Sequence, residues 1–210
     1  MRIYRKVISF KNWQILEKMN KKNVLKNFYL AAGTGCALIL GHRYSRDFDF
    51  FSKEEFDPQE ILIHLKNLNI EVENKSKYTL LLFINDTPFS FFYYPYKLLN
   101  SLIKYRGLKI ASLIDIGCMK LDAIATREKK RDFIDLYFIS KKLSLKKLLS
   151  FYLKKYDLFK NNIFHLLKSL LYFEDAENDP MPEMIKKVDW KEIKKYFERE
   201  VKKITSEYIK

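Results

Sequence analysis

Between Tyr29 and Leu38 the chain reads Tyr-Leu-Ala-Ala-Gly-Thr-Gly-Cys-Ala-Leu, and from Gly41 to Phe51 Gly-His-Arg-Tyr-Ser-Arg-Asp-Phe-Asp-Phe-Phe. This order predicts a short buried strand, a tight turn at Gly33-Thr34-Gly35, a short helix, and a second strand from Asp47 to Phe51. Side chains alternate along a strand, so Asp47 and Asp49 share one face while Phe48 and Phe50 point the other way, into a core. Carboxylates spaced about 7 Å apart along a strand, at about 3.3 Å per residue, suit one divalent ion or a bracketed pair. Displacement at phosphorus uses ion pairs about 4 Å apart. Free amides at the start of a helix favour an anion such as a triphosphate. A glycine turn alone, or an Asp-x-Asp pair alone, is also met in purely structural roles; the ordered combination points to metal-dependent nucleotide chemistry.

The rest of the composition bounds that chemistry. With 210 residues, 48% hydrophobic and 16% aromatic, the chain can bury a substantial core and disorder is not expected. A formal net charge of +14 favours polyanions, nucleic acid and nucleotides among them, although abundant lysine from codon bias gives the same sum. Cys36 and Cys118 make no disulfide framework or zinc spacing, and His42, His64 and His165 stand alone. No apolar signal core follows the basic N-terminus and no apolar run approaches the roughly 20 residues of a membrane span. A reduced, cytoplasmic setting without membrane contact is the expectation.

Periodicity predicts a helix over 3–27, with Phe10, Trp13, Leu16, Met19 and Leu25 at near-helical spacing. Strands are expected at 28–32, 47–51, 70–73, 78–85 and 89–94, and helices at 36–40 and from Pro58 to Leu68. Asn85-Asp86-Thr87-Pro88 marks a hairpin turn. From Ala111 the pattern becomes helical: 111–127, 133–141, 145–156 and 163–173, then an acidic, proline-bounded loop at 174–182 and a last helix from Trp190 capped by Asp189. The reading is an α+β fold in two parts, an α/β core over 1–107 and a helical half over 108–210 that shares its interface.

A second informative stretch runs from Lys120 to Tyr137. Lys120 and Arg127 lie about two helical turns apart and share a face, with Arg131 one turn further if the helix persists. A lysine point charge and arginine forks could together hold phosphates. Equally, Asp132 and Asp135 could balance a solvated basic helix. The aromatic run Phe91 to Tyr96 could stack bases, although a strand in a sheet core explains it more simply.

Taken together, Gly33-Thr34, Gly41-His42-Arg43, Ser45, Asp47-Phe48-Asp49-Phe50-Phe51, Tyr94-Pro95-Tyr96, Lys120, Ala123, Arg127 and Arg131-Asp132-Phe133-Ile134-Asp135-Leu136-Tyr137 resemble the AbiEii/AbiGii toxin family of nucleotidyltransferases. Leu171 to Glu177, Pro180-Met181-Pro182 and Val188-Asp189-Trp190 extend the resemblance, which runs from about Tyr29 to Trp190. It implies a DNA-polymerase-beta-like mixed sheet with helices and a helical half that completes the cleft. It also implies a toxin of a bacterial toxin–antitoxin or abortive-infection system, a cognate antitoxin, and transfer of a nucleotide from a nucleoside triphosphate with Mg2+ or Mn2+. Some relatives add nucleotides to the 3′ end of transfer RNA. By resemblance Asp47 and Asp49 are metal ligands, Gly33 and Thr34 cradle the triphosphate, Lys120 contacts its phosphates and acts in catalysis, and Asp132 is a further catalytic acid, with Asp135 as its alternative; Arg127 and Arg131 join the nucleotide-binding candidates by their spacing from Lys120.

One departure stands out. Enzymes of the polymerase-beta type carry a third carboxylate on a neighbouring strand, whereas the expected strand here has Ser90 at the inward position and no acid. Asp132 or Asp135 substitutes, or the nucleophile loses its proton without a protein base, or catalysis is impaired. Two other functions compete: nucleotide transfer to a small molecule, which the charge of +14 disfavours for a cationic acceptor, and a basic module that binds nucleic acid without chemistry.

Overall fold

The computed structural model describes residues 2–158 and 163–208. Seven strands form one mixed sheet: β1 (Tyr29–Leu30), β2 (Phe48–Ser52), β3 (Ile70–Ser76), β4 (Thr79–Ile84), β5 (Thr87–Tyr93), β6 (Ile103–Tyr105) and β7 (Leu108–Ile110), in the order β3-β4-β5-β2-β1-β7-β6. The central β2 runs antiparallel to β1 and parallel to β5. Its alternation is as predicted: Phe48 and Phe50 are buried and stack on Phe89 and Phe91 of β5, ring centroids 4.9 and 5.4 Å apart. Asp49 faces the other way, beside Ser90 in register. Asp47 lies one residue before the strand rather than in it.

Hairpins link the outer strands. Asn85 and Asp86 both take positive φ between β4 and β5, as a two-residue primed turn requires, which bears out the turn predicted there. The hairpin β6–β7 was not predicted. Its turn is Arg106-Gly107, again with positive φ at both residues. The sheet therefore ends at Ile110, and β7 pairs parallel with β1.

The helices are α1 (Phe10–Lys21), α2 (Ala32–Leu40), α3 (Pro58–Leu65), α4 (Leu113–Arg127), α5 (Lys130–Ser140), α6 (Leu145–Tyr156), α7 (Ile163–Ser169), α8 (Glu174–Glu177) and α9 (Trp190–Tyr208). The first is shorter than its periodicity predicts. Ser9 caps α1 by accepting the Asn12 amide at 3.2 Å, and a single 3-10 turn at Arg5–Val7 precedes it. Asp189 accepts the Lys191 amide at 3.1 Å at the start of α9, as expected of a cap. The predicted end of that helix, Ile209 and Lys210, lies outside the described residues.

Two apolar cores result. One fills the space between the sheet, α1 and α3; the other is built from α4 to α7 and α9. Helix α2 divides its side chains between them, giving Ala37 and Leu38 to the first and Cys36 and Leu40 to the second. It ends at Gly41 in the left-handed conformation (φ 61°), where any Cβ would enter the ring of Tyr4. After α8 the chain returns to the loop between α2 and β2. The amide of Tyr44 donates to the Glu183 carbonyl, and that of Ile185 to the His42 carbonyl, both at 2.9 Å. No helix among the described residues is long and apolar enough to cross a membrane.

Candidate functional site

The turn into α2 differs from the prediction. The helix already starts at Ala32, so Gly33, Thr34 and Gly35 lie inside its first turn rather than before it. Ala32, not a glycine, takes the left-handed conformation, with φ 49°. Ala31, at the cap position, offers no side-chain acceptor, so the first-turn amides lack a partner within the helix. Gly33 is needed for close approach: a Cβ there would stand 2.5 Å from Nη2 of Arg43. The Thr34 hydroxyl is turned inward, donating to the Asp47 carbonyl and bonding Ser45 Oγ at 2.7 Å. It therefore fixes the backbone of Asp47, and only the Thr34 amide remains to meet an anion.

A cavity of about 280 Å³ lies over this helix end. Gly33, Thr34, Asp47, Asp49, Lys120, Arg127 and Arg131 all line it, so the structure brings seven predicted residues to one place. Arg43, Ser45, Arg46, Pro182 and Glu183 line it too. Sequence reasoning gave these five no role. A signal existed in Arg43, Ser45 and Pro182, which carry part of the family resemblance.

Asp132 does not line the cavity. It is fully buried, with Lys120 Nζ 2.6 Å from Oδ1 and Arg127 Nε 3.0 Å from Oδ2. Lys120 also holds Asp135 Oδ2 at 2.6 Å. Asp135 in turn takes both arms of Arg43, Nε to Oδ1 at 2.7 Å and Nη2 to Oδ2 at 2.9 Å, and Nε2 of His42 at 2.8 Å. These contacts explain the titration of the cluster. Burial opposes ionisation of Asp132 and Asp135, but Lys120 with Arg127, and Arg43 with Lys120 and His42, outweigh it and hold both carboxyls below the usual range. Lys120 loses by burial and gains more from Asp132 and Asp135, so it stays charged. Neither carboxylate is a free base, and the Lys120 ammonium is engaged by two acids rather than open to a phosphate. The helical half supplies α4 and α5 for this network, and its three cations Arg43, Lys120 and Arg127 against two carboxylates leave one positive charge in excess. The broken helix explains Arg131. Glu128 adopts φ 46° after α4, and α5 restarts at Lys130, turning Arg131 towards Asp47.

Asp49 behaves differently. Burial pushes its carboxyl up, and the nearby charge of Asp47 adds to the rise, while Lys120, a hydrogen bond with Ser90 and Arg131 oppose it. Two hard oxygen donors whose charges repel, facing a cavity, suit a divalent cation such as Mg2+ or Mn2+. The buried trio Cys36, His42 and Asp135 also brings ligand atoms within 4.8 Å of one another. There, Asp135 is already saturated by Arg43, Lys120 and His42, and burial holds the Cys36 thiol protonated, so that cluster does not suit a cation.

Known proteins resemble the chain in sequence and in fold. The chain is 39% identical over 196 residues to the uncharacterised protein aq_aa25 of Aquifex aeolicus (strain VF5), covering 90% of this chain and 93% of that one. Its fold is similar to that of a Helicobacter pylori protein proposed to be a nucleotidyltransferase, with TM-score 0.59 at 19% identity over 94% of each chain. It is also similar to MenT4, a nucleotidyltransferase toxin of Mycobacterium tuberculosis H37Rv, with TM-score 0.55 at 14% identity over 89% of this chain and 83% of that one. The profile of the family described as nucleotidyl transferase AbiEii toxin, type IV toxin–antitoxin system, matches residues 87–208. With that match covering more than half its length, the chain belongs to the AbiEii nucleotidyltransferase toxins.

Proposed function

We propose that the chain transfers a nucleoside monophosphate from a nucleoside triphosphate to a hydroxyl of an RNA acceptor, the 3′ end of transfer RNA being the leading candidate. It does so in the cytoplasm as the toxin of a bacterial pair whose antitoxin holds it in check. The observation that carries this reading is the placement of Asp47 and Asp49 in one cavity with the uncapped start of α2 and the guanidinium groups of Arg127 and Arg131.

Asp47 and Asp49 hold the divalent ion, which when bound neutralises phosphate charge and lowers the pKa of an attacking hydroxyl. The amides of Gly33 and Thr34 meet the triphosphate at the positive end of the helix dipole. Arg131 and Arg127 add charge-assisted hydrogen bonds to its oxygens. Asp132 and Asp135 position Arg127, Lys120 and Arg43 rather than move protons. Attack at the α-phosphorus expels pyrophosphate, and the hydroxyl proton passes to solvent water rather than to a third acid on β5, because Ser90 stands where one would be. The catalysis rests on positioning and electrostatic complementarity. The charge of +14 supports RNA over a cationic small molecule as acceptor.

The test is incorporation of each labelled nucleoside triphosphate into total bacterial RNA with magnesium, for the wild type, Asp47→Ala and Asp49→Ala. The expected result is label in one RNA size class, lost in both variants. Near-wild-type incorporation by either variant would remove the site assignment. Nucleotide binding without incorporation into any RNA would favour a small-molecule acceptor.

A further inference from the structure

The face of the sheet that carries Asp49 continues past it as an aromatic floor. Phe51 of β2 lies 5.5 Å from Phe92 and 5.4 Å from Tyr94, ring centre to ring centre. Tyr29, the cross-strand partner of Phe51 on β1, stacks with it at 6.0 Å. The aromatic run from Phe91 to Tyr96 is thus divided: Phe91 is in the core, while Phe92 and Tyr94 line a second cavity of about 380 Å³. That cavity shares Ala32, Asp49, Lys120 and Arg127 with the anion cavity, so the two meet at Asp49.

Helix α4 forms the opposite wall and sets one acid in it, Asp122. Its Oδ1 accepts the Tyr152 hydroxyl at 3.2 Å. Among the described residues its Oδ2 has no hydrogen bond and no cation pairs with the group. Apart from Asp49, the proposed ion ligand, the other acids named here are matched: Asp47 by Arg131 at 3.0 Å, Asp115 by Lys155 at 2.9 Å, and Asp132 and Asp135 by the network above. A half-buried carboxylate with a spare oxygen, opposite an aromatic wall in which Phe92 is tilted 32° and Tyr94 stands 69° to Phe51, can only accept hydrogen bonds when ionised. What fits between them is a planar ring that presents a donor at its edge.

We infer that this second cavity takes a nucleobase, packed against the aromatic wall of Phe51, Phe92 and Tyr94, and that Asp122 determines specificity by accepting a hydrogen bond from the base's amino group. Cytosine, adenine and guanine carry such a group. Uracil presents carbonyl oxygens in its place and meets the carboxylate unfavourably. The inference rests on the transferase reading in one respect, since Asp49 marks where the reacting phosphorus sits. The base has two possible sources, the incoming triphosphate or the terminal nucleotide of the RNA acceptor.

The experiment measures equilibrium binding with Ca2+ present, which permits association without turnover. Probes are the four nucleoside triphosphates and four short RNAs that differ only in the 3′-terminal base. Proteins are the wild type, Asp122→Asn and Phe92→Leu, each first checked for an intact thermal transition. In one of the two series the wild type should disfavour uracil by about tenfold. Asp122→Asn, which offers a donor as well as an acceptor, should shrink that gap to about twofold or less. Phe92→Leu should weaken all bases of that series together, by about fivefold or more. A change confined to the triphosphates assigns the cavity to the incoming nucleotide, and one confined to the RNAs assigns it to the acceptor. An unchanged base order in both series, or an equal loss for every base in Asp122→Asn, overturns the inference. Base-selective binding that responds to Asp122→Asn, but with no label transferred to any RNA under magnesium, sinks the RNA-acceptor reading and keeps the cavity. No binding of any probe by the wild type overturns both.

Discussion

Arg131 Nη1 lies 3.0 Å from Asp47 Oδ2, so one of the two carboxylates proposed to hold a divalent ion carries a guanidinium. Both side chains are about half exposed, 49% and 47%. The contact is therefore weak, on the order of 0.2–1 kcal/mol. It links two functions: Arg131 must leave Asp47 when an ion arrives, and the triphosphate gives it somewhere to go. Arg131→Ala should raise the affinity for Mn2+ alone by up to about fivefold, read by paramagnetic resonance without nucleotide. The same change should weaken triphosphate binding by about tenfold, the worth of a charged hydrogen bond. Unchanged Mn2+ affinity would show that the ion pair does not compete with the metal.

A second prediction sets stability against activity at Asp49. Burial pushes this carboxyl up in the folded protein. The sign follows from linkage: the folded state holds the proton more tightly than the unfolded chain, so stability falls as pH rises from the unfolded value near 3.9 through the folded one. The cost remains at neutral pH. Asp49→Asn removes it, and the expected gain of about 1 kcal/mol is about 2–4 °C in Tm for a chain of this size. Incorporation of nucleotide should fall at least about a thousandfold in the same variant. A lower Tm would show that the ionised group is a net stabiliser.

Much of this was legible in the sequence because local rules governed it. Alternation along 47–51 set the faces of Asp49 and Phe50, the prolines and caps placed Pro58 and Asp189, and Asn85-Asp86 gave its hairpin. Four features escape these rules, and of them the conformation of Ala32 and the pairing of Lys120 depend on contacts far apart in the chain. Ser9 interrupts a periodicity that continues on both sides of it. Ala32 takes the left-handed conformation although glycine follows it directly. Lys120 sits between Asp132 and Asp135, where spacing suggested a phosphate contact, because burial of two acids requires a cation. The hairpin at Arg106-Gly107 was missed because its strands are three residues each, too short for alternation to show.

The pH dependence of folding should centre on His42. It is fully buried, and burial lowers its pKa more than the hydrogen bond to Asp135 raises it; Arg43 and Lys120 lower it further. In the fold it is neutral, with its Nε2–H donating to the ionised Asp135. The unfolded histidine titrates near 6.5, so the unfolded chain takes up a proton that the fold refuses. Stability is complete above that pH and declines as pH falls from 6.5 towards the folded value, with a slope of up to about 1.4 kcal/mol per pH unit. His64 and His165 are exposed, so His42 is the buried histidine of the chain. Calorimetry between pH 5 and 8 should show this slope, and His42→Gln should flatten it while retaining a donor towards Asp135. A slope that persists in the variant would place the titrating group elsewhere.

The last prediction concerns Ala32. Its φ of 49° costs a residue with a Cβ about 1–2 kcal/mol relative to the right-handed region. Glycine would carry no such cost, and at the first position of a helix its usual penalty, about 0.5–1 kcal/mol in the interior, applies only in part. Ala32→Gly should therefore stabilise the protein by up to about 1 kcal/mol, opposite in sign to an ordinary helical Ala→Gly change. The position lines both cavities beside Asp49, so the same change frees the backbone that aims the Gly33 and Thr34 amides. Triphosphate affinity should fall by a few-fold as that order is lost, since preorganised donors bind more tightly than mobile ones. Thermal unfolding and nucleotide titration on the one variant separate the two effects. Loss of stability would show that Ala32 is unstrained, and unchanged affinity with a raised Tm would show that the strain has no part in holding the site.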